Sequence, residues 1–207
     1  MAEVLLEARS PLAALLQSGR AGRADGPAGV RLRERRPIGS AALLLRSGGR
    51  ERLAAALRAD FGLELPVTPR RSACASLSLV WSGPRQWLAF EDRSEACPGR
   101  SFVAGLARAV GDAATVIELS GARALFDIEG PETETVLSRI VPVDLDSSVF
   151  GNDAVALTLA GHVGVALWRR GSAAAFTLAC SRSFAASLAE ALMEAALCVG
   201  CEVLDPV

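Results

Sequence analysis

Lysine and tyrosine are missing altogether from the 207 residues, and histidine occurs once, at His162. Each absence closes a route to function. Without lysine there is no P-loop, no pyridoxal Schiff base and no Ser-Lys dyad. One histidine cannot build an H-E-x-x-H zinc helix or a histidine-rich metal site. The 22 basic residues, all arginine, face 23 acidic ones, for a net charge of -1. A nucleic-acid binder needs a cationic excess, so that class is set aside. No unbroken apolar run approaches the roughly 20 residues of a membrane helix, and none near Met1 makes a signal core. The expectation is a cytoplasmic protein with no membrane partner.

The five cysteines, Cys74, Cys97, Cys180, Cys198 and Cys201, form no disulfide framework and read as reduced core thiols. Cys198-x-x-Cys201 has metal-like spacing, but no second pair completes four ligands. His162 lies between Gly161 and Val163 at a strand start. Asp153 and Ser147 are near it in sequence, yet there is no G-x-S-x-G elbow and proximity is not triad geometry. The glycine pairs Gly26/Gly29 and Gly161/Gly164 lack the dinucleotide spacing. No catalytic, cofactor-binding or metal-binding residue emerges.

What is present is a core: 51% of residues are hydrophobic and only 22% charged. Ser10-Pro11 opens a short helix with Leu12, Leu15 and Leu16 as its apolar patch. Residues 19–29 hold four glycines and a proline and read as a flexible connection. Residues 1–29 are therefore expected to be a docking arm, with Leu12, Leu15 and Leu16 meeting a partner. From Val30 the pattern becomes regular. Val30, Leu32 and Glu34 alternate with arginines as a strand before Pro37, and Ala41–Leu45 forms another. A helix then carries Leu53, Leu57 and Phe61. Leu77–Trp81 and Gln86–Phe90 make a hairpin about Ser82-Gly83-Pro84, followed by a helix through Phe102, Leu106 and Val110 and a strand at Thr115–Leu119.

The order then recurs. Ala122–Ile128 is a strand, Gly130-Pro131 opens a helix with Val136 and Leu137 inward, and Val155–Leu159 and Val163–Trp168 are strands. Arg169-Arg170-Gly171 turns into Ala174–Cys180, and a helix carries Phe184, Leu188, Leu192 and Ala196. Arg182-Ser183-Phe184 repeats Arg100-Ser101-Phe102 about 80 residues on. The fold class expected is α+β, with strand–helix–hairpin–helix units duplicated over residues 30–119 and 120–207 of a single domain. Trp81 and Trp87, near the hairpin, are packing residues by default and contact-patch candidates otherwise.

Several stretches carry a resemblance: Leu65-Pro66; Leu79-Val80-Trp81-Ser82-Gly83-Pro84-Arg85-Gln86-Trp87-Leu88; Val116-Ile117-Glu118-Leu119-Ser120-Gly121-Ala122-Arg123; Ile128-Glu129-Gly130-Pro131; Val143-Asp144-Leu145; and Arg182–Leu188. In order and spacing they resemble the gamma-subunit family of heterotetrameric sarcosine oxidase. That resemblance implies a fold similar to the folate-binding aminomethyltransferase of glycine cleavage. It implies a non-catalytic subunit of a complex that oxidatively demethylates sarcosine to glycine. It places NAD and tetrahydrofolate in an alpha subunit, FAD and FMN in a beta subunit and zinc in a delta subunit, with no cofactor here. A subunit of a related N-methylglutamate dehydrogenase and a stand-alone folate-binding protein are the alternatives. Where the transferases carry an acidic pair this sequence has Gly164-Val165, which removes the carboxylate that would handle a folate amine.

Overall fold

Alternation and helical periodicity sort the chain into two sheets with helices outside them. The computed structural model describes residues 10–35, 39–91, 99–171 and 174–206. Pro37 and Cys97 lie outside the described residues, as do the side chains of Arg100 and Ser101.

The five-stranded sheet holds β3 (Ser40–Leu45), β4 (Arg71–Ala73), β5 (Leu77–Gly83), β6 (Gln86–Glu91) and β7 (Ala114–Glu118), in the order β4-β5-β6-β3-β7. Helices α1 (Arg50–Phe61) and α2 (Gly99–Val110) cover its outer face. Leu53 and Leu57, one turn apart, and Leu106 and Val110 pack there with Leu43, Leu79 and Trp87. Gly62 ends α1 in the left-handed region, φ +65°, its N–H capping the Arg58 carbonyl while the Leu63 N–H caps that of Leu57.

The seven-stranded sheet runs β1-β12-β2-β8-β11-β10-β9. Its strands are β1 (Gly19–Ala21), β2 (Val30–Arg35), β8 (Arg123–Glu129), β9 (Val155–Ala160), β10 (Val163–Arg169), β11 (Ala175–Ser181) and β12 (Cys201–Leu204). The short α3 (Thr133–Leu137) and α4 (Ala185–Ala196) pack on its outer face through Val136, Leu137, Leu188 and Leu192. The two sheets meet face to face over Ala42, Val80, Leu88, Phe90, Leu125, Val155, Ala166, Trp168 and Ala179. The layers are thus helix, sheet, sheet, helix, a mixed α+β architecture. The run β4-β5-β6-β3 of one sheet has its counterpart in β9-β10-β11-β8 of the other. The next place beside β3 is taken by β7, and the one beside β8 by β2. Strand β2, from residues 30–119, therefore lies in the sheet built mostly from residues 120–207.

The expected arm is a correction. Leu12 is fully buried and Leu16 nearly so, both in the core beneath the seven-stranded sheet. Residues 11–15 form a single turn rather than a helix, capped by the Ser10 hydroxyl, which accepts from the Leu12 N–H at 2.9 Å and donates to Glu34. The glycine-rich stretch is tied down as well: β1 pairs with β12, and Gly29 N–H reaches the carbonyls of Val199 and Gly200. Two of its glycines, Gly22 and Gly29, serve close approach. At Gly22, φ is +76° and a Cβ would lie 2.2 Å from the Leu197 carbonyl oxygen.

The Arg169-Arg170-Gly171 turn is also revised at its first residue. Arg169 ends β10 and is 1% exposed. Its guanidinium donates to the Phe150 carbonyl at 2.6 Å, to Glu134 at 2.7 Å and to the Leu145 carbonyl. It also lies 4.5 Å from the centre of the Phe176 ring. One buried cation thus organises the loop from α3 to β9.

Candidate interaction site

His162 and Asp153 stand beyond opposite ends of β9, a strand about 20 Å long at the usual rise. His162 is exposed in the two-residue turn between β9 and β10, whose Gly161 has φ +60°. Asp153 is held by Arg71 at 2.9 Å. These residues build no triad. Among the described residues no group of three or more His, Cys, Asp or Glu could hold a metal ion. Cys180 and Cys201 are buried, and burial pushes both thiols up to about 11. Cys198 is exposed, which corrects its reading as a core thiol, and Arg139 donates to its sulfur. Chain direction explains this: α4 has ended by Ala196, so Cys198 lies in the turn before β12.

Of the five candidate contact residues, three are consumed internally. Leu12 and Leu16 lie in one core, and Trp87, 1% exposed, lies in another with its indole N–H donating to the Pro66 carbonyl at 2.8 Å. Trp81 is half-buried against the same core as Trp87, and Leu15 is 40% exposed. The expected contact patch does not form as one surface.

The inner face of the seven-stranded sheet carries two features that the five-stranded sheet leaves uncovered. One is charged. Arg31, Arg33 and Arg35 on β2 stand opposite Glu129, Asp127 and Leu125 on β8. Arg31 pairs with Glu129 at 3.2 Å, Arg170 lies 3.6 Å from Asp127 and 3.4 Å from Glu129, and the Thr177 hydroxyl donates to Asp127 at 2.6 Å. Burial draws the Arg35 guanidinium below its usual range; Asp127 opposes this, and Arg71 and Arg170 add to it. Even so lowered, an arginine remains charged near neutral pH.

The other feature is apolar. A row across β8, β11, β10 and β9 runs from Leu125, Ala179 and Ala166, buried between the sheets, out to Leu157, which the five-stranded sheet leaves exposed. Gly164 faces Leu159 in the register one step further along. Beneath the tip of the β5–β6 hairpin these small residues floor a groove of about 500 Å3, walled by Leu157, Leu159, Leu88, Gln86 and Ser82. Leu157 and Leu159 are 49% and 51% exposed. Among the described residues, the one charged side chain lining the groove is Arg123. Gly164 is part of this floor. Sequence reasoning missed the groove because glycine and alanine in an apolar strand look like core; the signal was an uncharged β9 at the sheet edge.

The fold places the chain with α+β proteins of aminomethyltransferase type. The glycine cleavage system aminomethyltransferase T of Bartonella henselae superposes with a TM-score of 0.57 at 19% identity, over 86% of this chain and 48% of that one. A chain of the heterotetrameric sarcosine oxidase from Corynebacterium sp. U-96, solved in complex with pyrrole 2-carboxylate, is more similar. Its TM-score is 0.74 at 27% identity, over 91% of this chain and 94% of that one. The model of the sarcosine oxidase, gamma subunit family matches residues 48–197, and the chain belongs to that family. The sarcosine oxidase gamma subunit of an Arthrobacter species is 35% identical over 133 residues, and that of Corynebacterium sp. strain P-1 is 32% identical over 126. These matches cover 64% and 60% of this chain and span 62% and 59% of the two relatives' lengths.

Proposed function

We propose that this chain is a non-catalytic, structural gamma subunit of a sarcosine oxidase complex. The observation that carries the reading is the likeness to a chain of the heterotetrameric enzyme over 94% of that chain's length. On this reading the complex demethylates sarcosine to glycine, with formaldehyde or methylene-tetrahydrofolate and hydrogen peroxide as the other products. Its partners are an alpha subunit with NAD and tetrahydrofolate, a beta subunit with FAD and FMN, and a delta subunit with zinc, all in the cytoplasm. The residues of this chain hold surfaces rather than reactants, and Leu15 and Trp81 keep accessible area for a partner.

The architecture is read as a duplicated strand–helix–hairpin–helix unit. The counterpart strand runs support it, with β2 of the first half placed beside β8 in the sheet of the second.

The test is co-expression with the other subunits. The expected result is one complex with flavin absorbance and sarcosine-dependent oxygen uptake, neither of which the isolated chain possesses. Sarcosine turnover by the isolated chain, or failure to co-purify with a flavin-bearing subunit, overturns the reading.

A further inference from the structure

Strand β9 reads Val-Ala-Leu-Thr-Leu-Ala, without a charge or a proline, and forms the outer edge of the seven-stranded sheet. Proteins ordinarily protect such an edge with charge, proline or a covering element. The backbone hydrogen bonds show how much of it is open. In an antiparallel strand alternate residues point their N–H and C=O groups to the same side. Val155 N–H points outward to the Pro69 carbonyl at 3.0 Å, and Gly161 N–H to the Ile140 carbonyl at 2.8 Å. Ala154 faces the other way, its carbonyl accepting from Arg169 N–H on β10 at 3.2 Å. The outward positions between are therefore Leu157 and Leu159, whose backbone groups have no protein partner among the described residues. The chain closes both ends of this edge with its own carbonyls and leaves a window between them. Residues 156–160 span about 16 Å at the strand rise, room for an added strand of four or five residues.

The side chains beside the window specify what such a strand carries. Leu157 and Leu159 lead onto the groove floored by Gly164 and Ala166, which accepts apolar side chains, and among the described residues Arg123 is the one charge in its lining. No ion pair or hydrogen bond engages the Arg123 side chain among the described residues, so its complement is a carboxylate on the occupant.

We propose that the β9 window and its groove dock one extended segment of another subunit of the complex, added as a strand beside β9, with apolar side chains on the groove floor and an acidic residue against Arg123. This rests on the reading of the chain as an oxidase subunit.

The experiment co-expresses the full chain with the other oxidase subunits and compares wild type with Gly164→Leu, Leu159→Arg and Arg123→Glu. A Cβ at Gly164 meets nothing within 4 Å, so Gly164→Leu fills the groove without disturbing this fold. Val149→Arg is the control, placing the same new charge at a site 67% exposed. A thermal melt of each isolated variant checks folding. The expected result is at least a tenfold loss of co-purified complex for Gly164→Leu and Leu159→Arg, a smaller loss for Arg123→Glu and none for the control. Amide exchange at Leu157 and Leu159 slows at least tenfold on assembly. If folded Gly164→Leu and Leu159→Arg assemble like wild type, or these amides exchange equally fast in the complex, the docking site is overturned while the subunit reading stands. A wild-type chain that self-associates through β9 overturns it in favour of a second copy. A wild-type chain that never joins the oxidase subunits overturns both.

Discussion

The ring of Phe90 on β6 stacks on that of Trp168 on β10, centroids 5.8 Å apart and planes at 25°. Both side chains are essentially inaccessible, and they come from different sheets. This pair joins the two halves of the molecule at the centre of the inter-sheet layer, with Val80, Leu88 and Leu125 around it. Aromatic pairs of this kind contribute about 0.5–1.5 kcal/mol beyond the area they bury.

Phe90→Ala is expected to cost about 3–5 kcal/mol, the range for deleting a buried aromatic ring. Urea denaturation measures it. A loss under 1 kcal/mol would mean that the sheets are held together elsewhere. Trp168→Phe is milder, because it also removes a buried indole N–H that has no hydrogen-bond partner among the described residues.

Arg169 makes a different kind of joint. Removing its charge strands Glu134 and the carbonyls of Leu145 and Phe150, which otherwise receive its N–H groups. Arg169→Ala should destabilise the chain by about 3–5 kcal/mol. Arg169→Lys should rescue little, since an ammonium lacks the planar fork that reaches separated acceptors. Full recovery by lysine in the same denaturation experiment would show that charge alone matters there.

The buried thiols set an alkaline limit. Cys180 and Cys201 titrate at about 11 in the fold against 9.0 as ordinary thiols. Between those values the unfolded chain has lost protons that the native chain keeps, so stability falls as pH rises. Below about pH 8 the two thiols contribute no pH dependence. From pH 9 to 11 the loss reaches up to about 2–3 kcal/mol per thiol. A pH series of denaturation midpoints checks it, and Cys180→Ala should flatten part of the slope. At pH 8 a thiol reagent should label exposed Cys198 in the native protein and spare Cys180 and Cys201.

Much of this fold was legible because local patterns agree with the tertiary result. Leu53 and Leu57 announce the buried face of α1, and Val30, Leu32 and Glu34 the buried, helix-packed face of β2. The hairpins were readable from Ser82-Gly83-Pro84 and, apart from its first residue, from Arg169-Arg170-Gly171. Strand exchange was not: β2 pairs with β8 and β12 through contacts that no local window contains. Strand β12 was overlooked although Cys201 and Val203 alternate with Glu202, because four residues after a long helix look like a tail. The groove escaped for a different reason. Gly164, Leu157 and Leu159 line a groove because the five-stranded sheet covers Ala166 and Ala179 but stops short of these three.

The same limit explains the N-terminal segment, and its revision yields a test. Three leucines next to a glycine-rich stretch look like a tethered patch because sequence does not show where a short turn docks. Here Leu12 and Leu16 complete the core under β2 and α4, held by the Ser10 cap and by the pairing of β1 with β12. Their burial contributes to the stability of this chain rather than to affinity for a partner. Leu12→Ala should cost about 2–5 kcal/mol in the isolated protein, the range for emptying a buried leucine site. Leu15→Ala, at a side chain 40% exposed, should change stability by less than about 1 kcal/mol. Deleting residues 1–18 should lower the denaturation midpoint by at least as much as Leu12→Ala, because both leucines leave together. If that deletion leaves the midpoint unchanged and weakens only assembly, the segment is an arm after all, and its packing in the core is not the native arrangement.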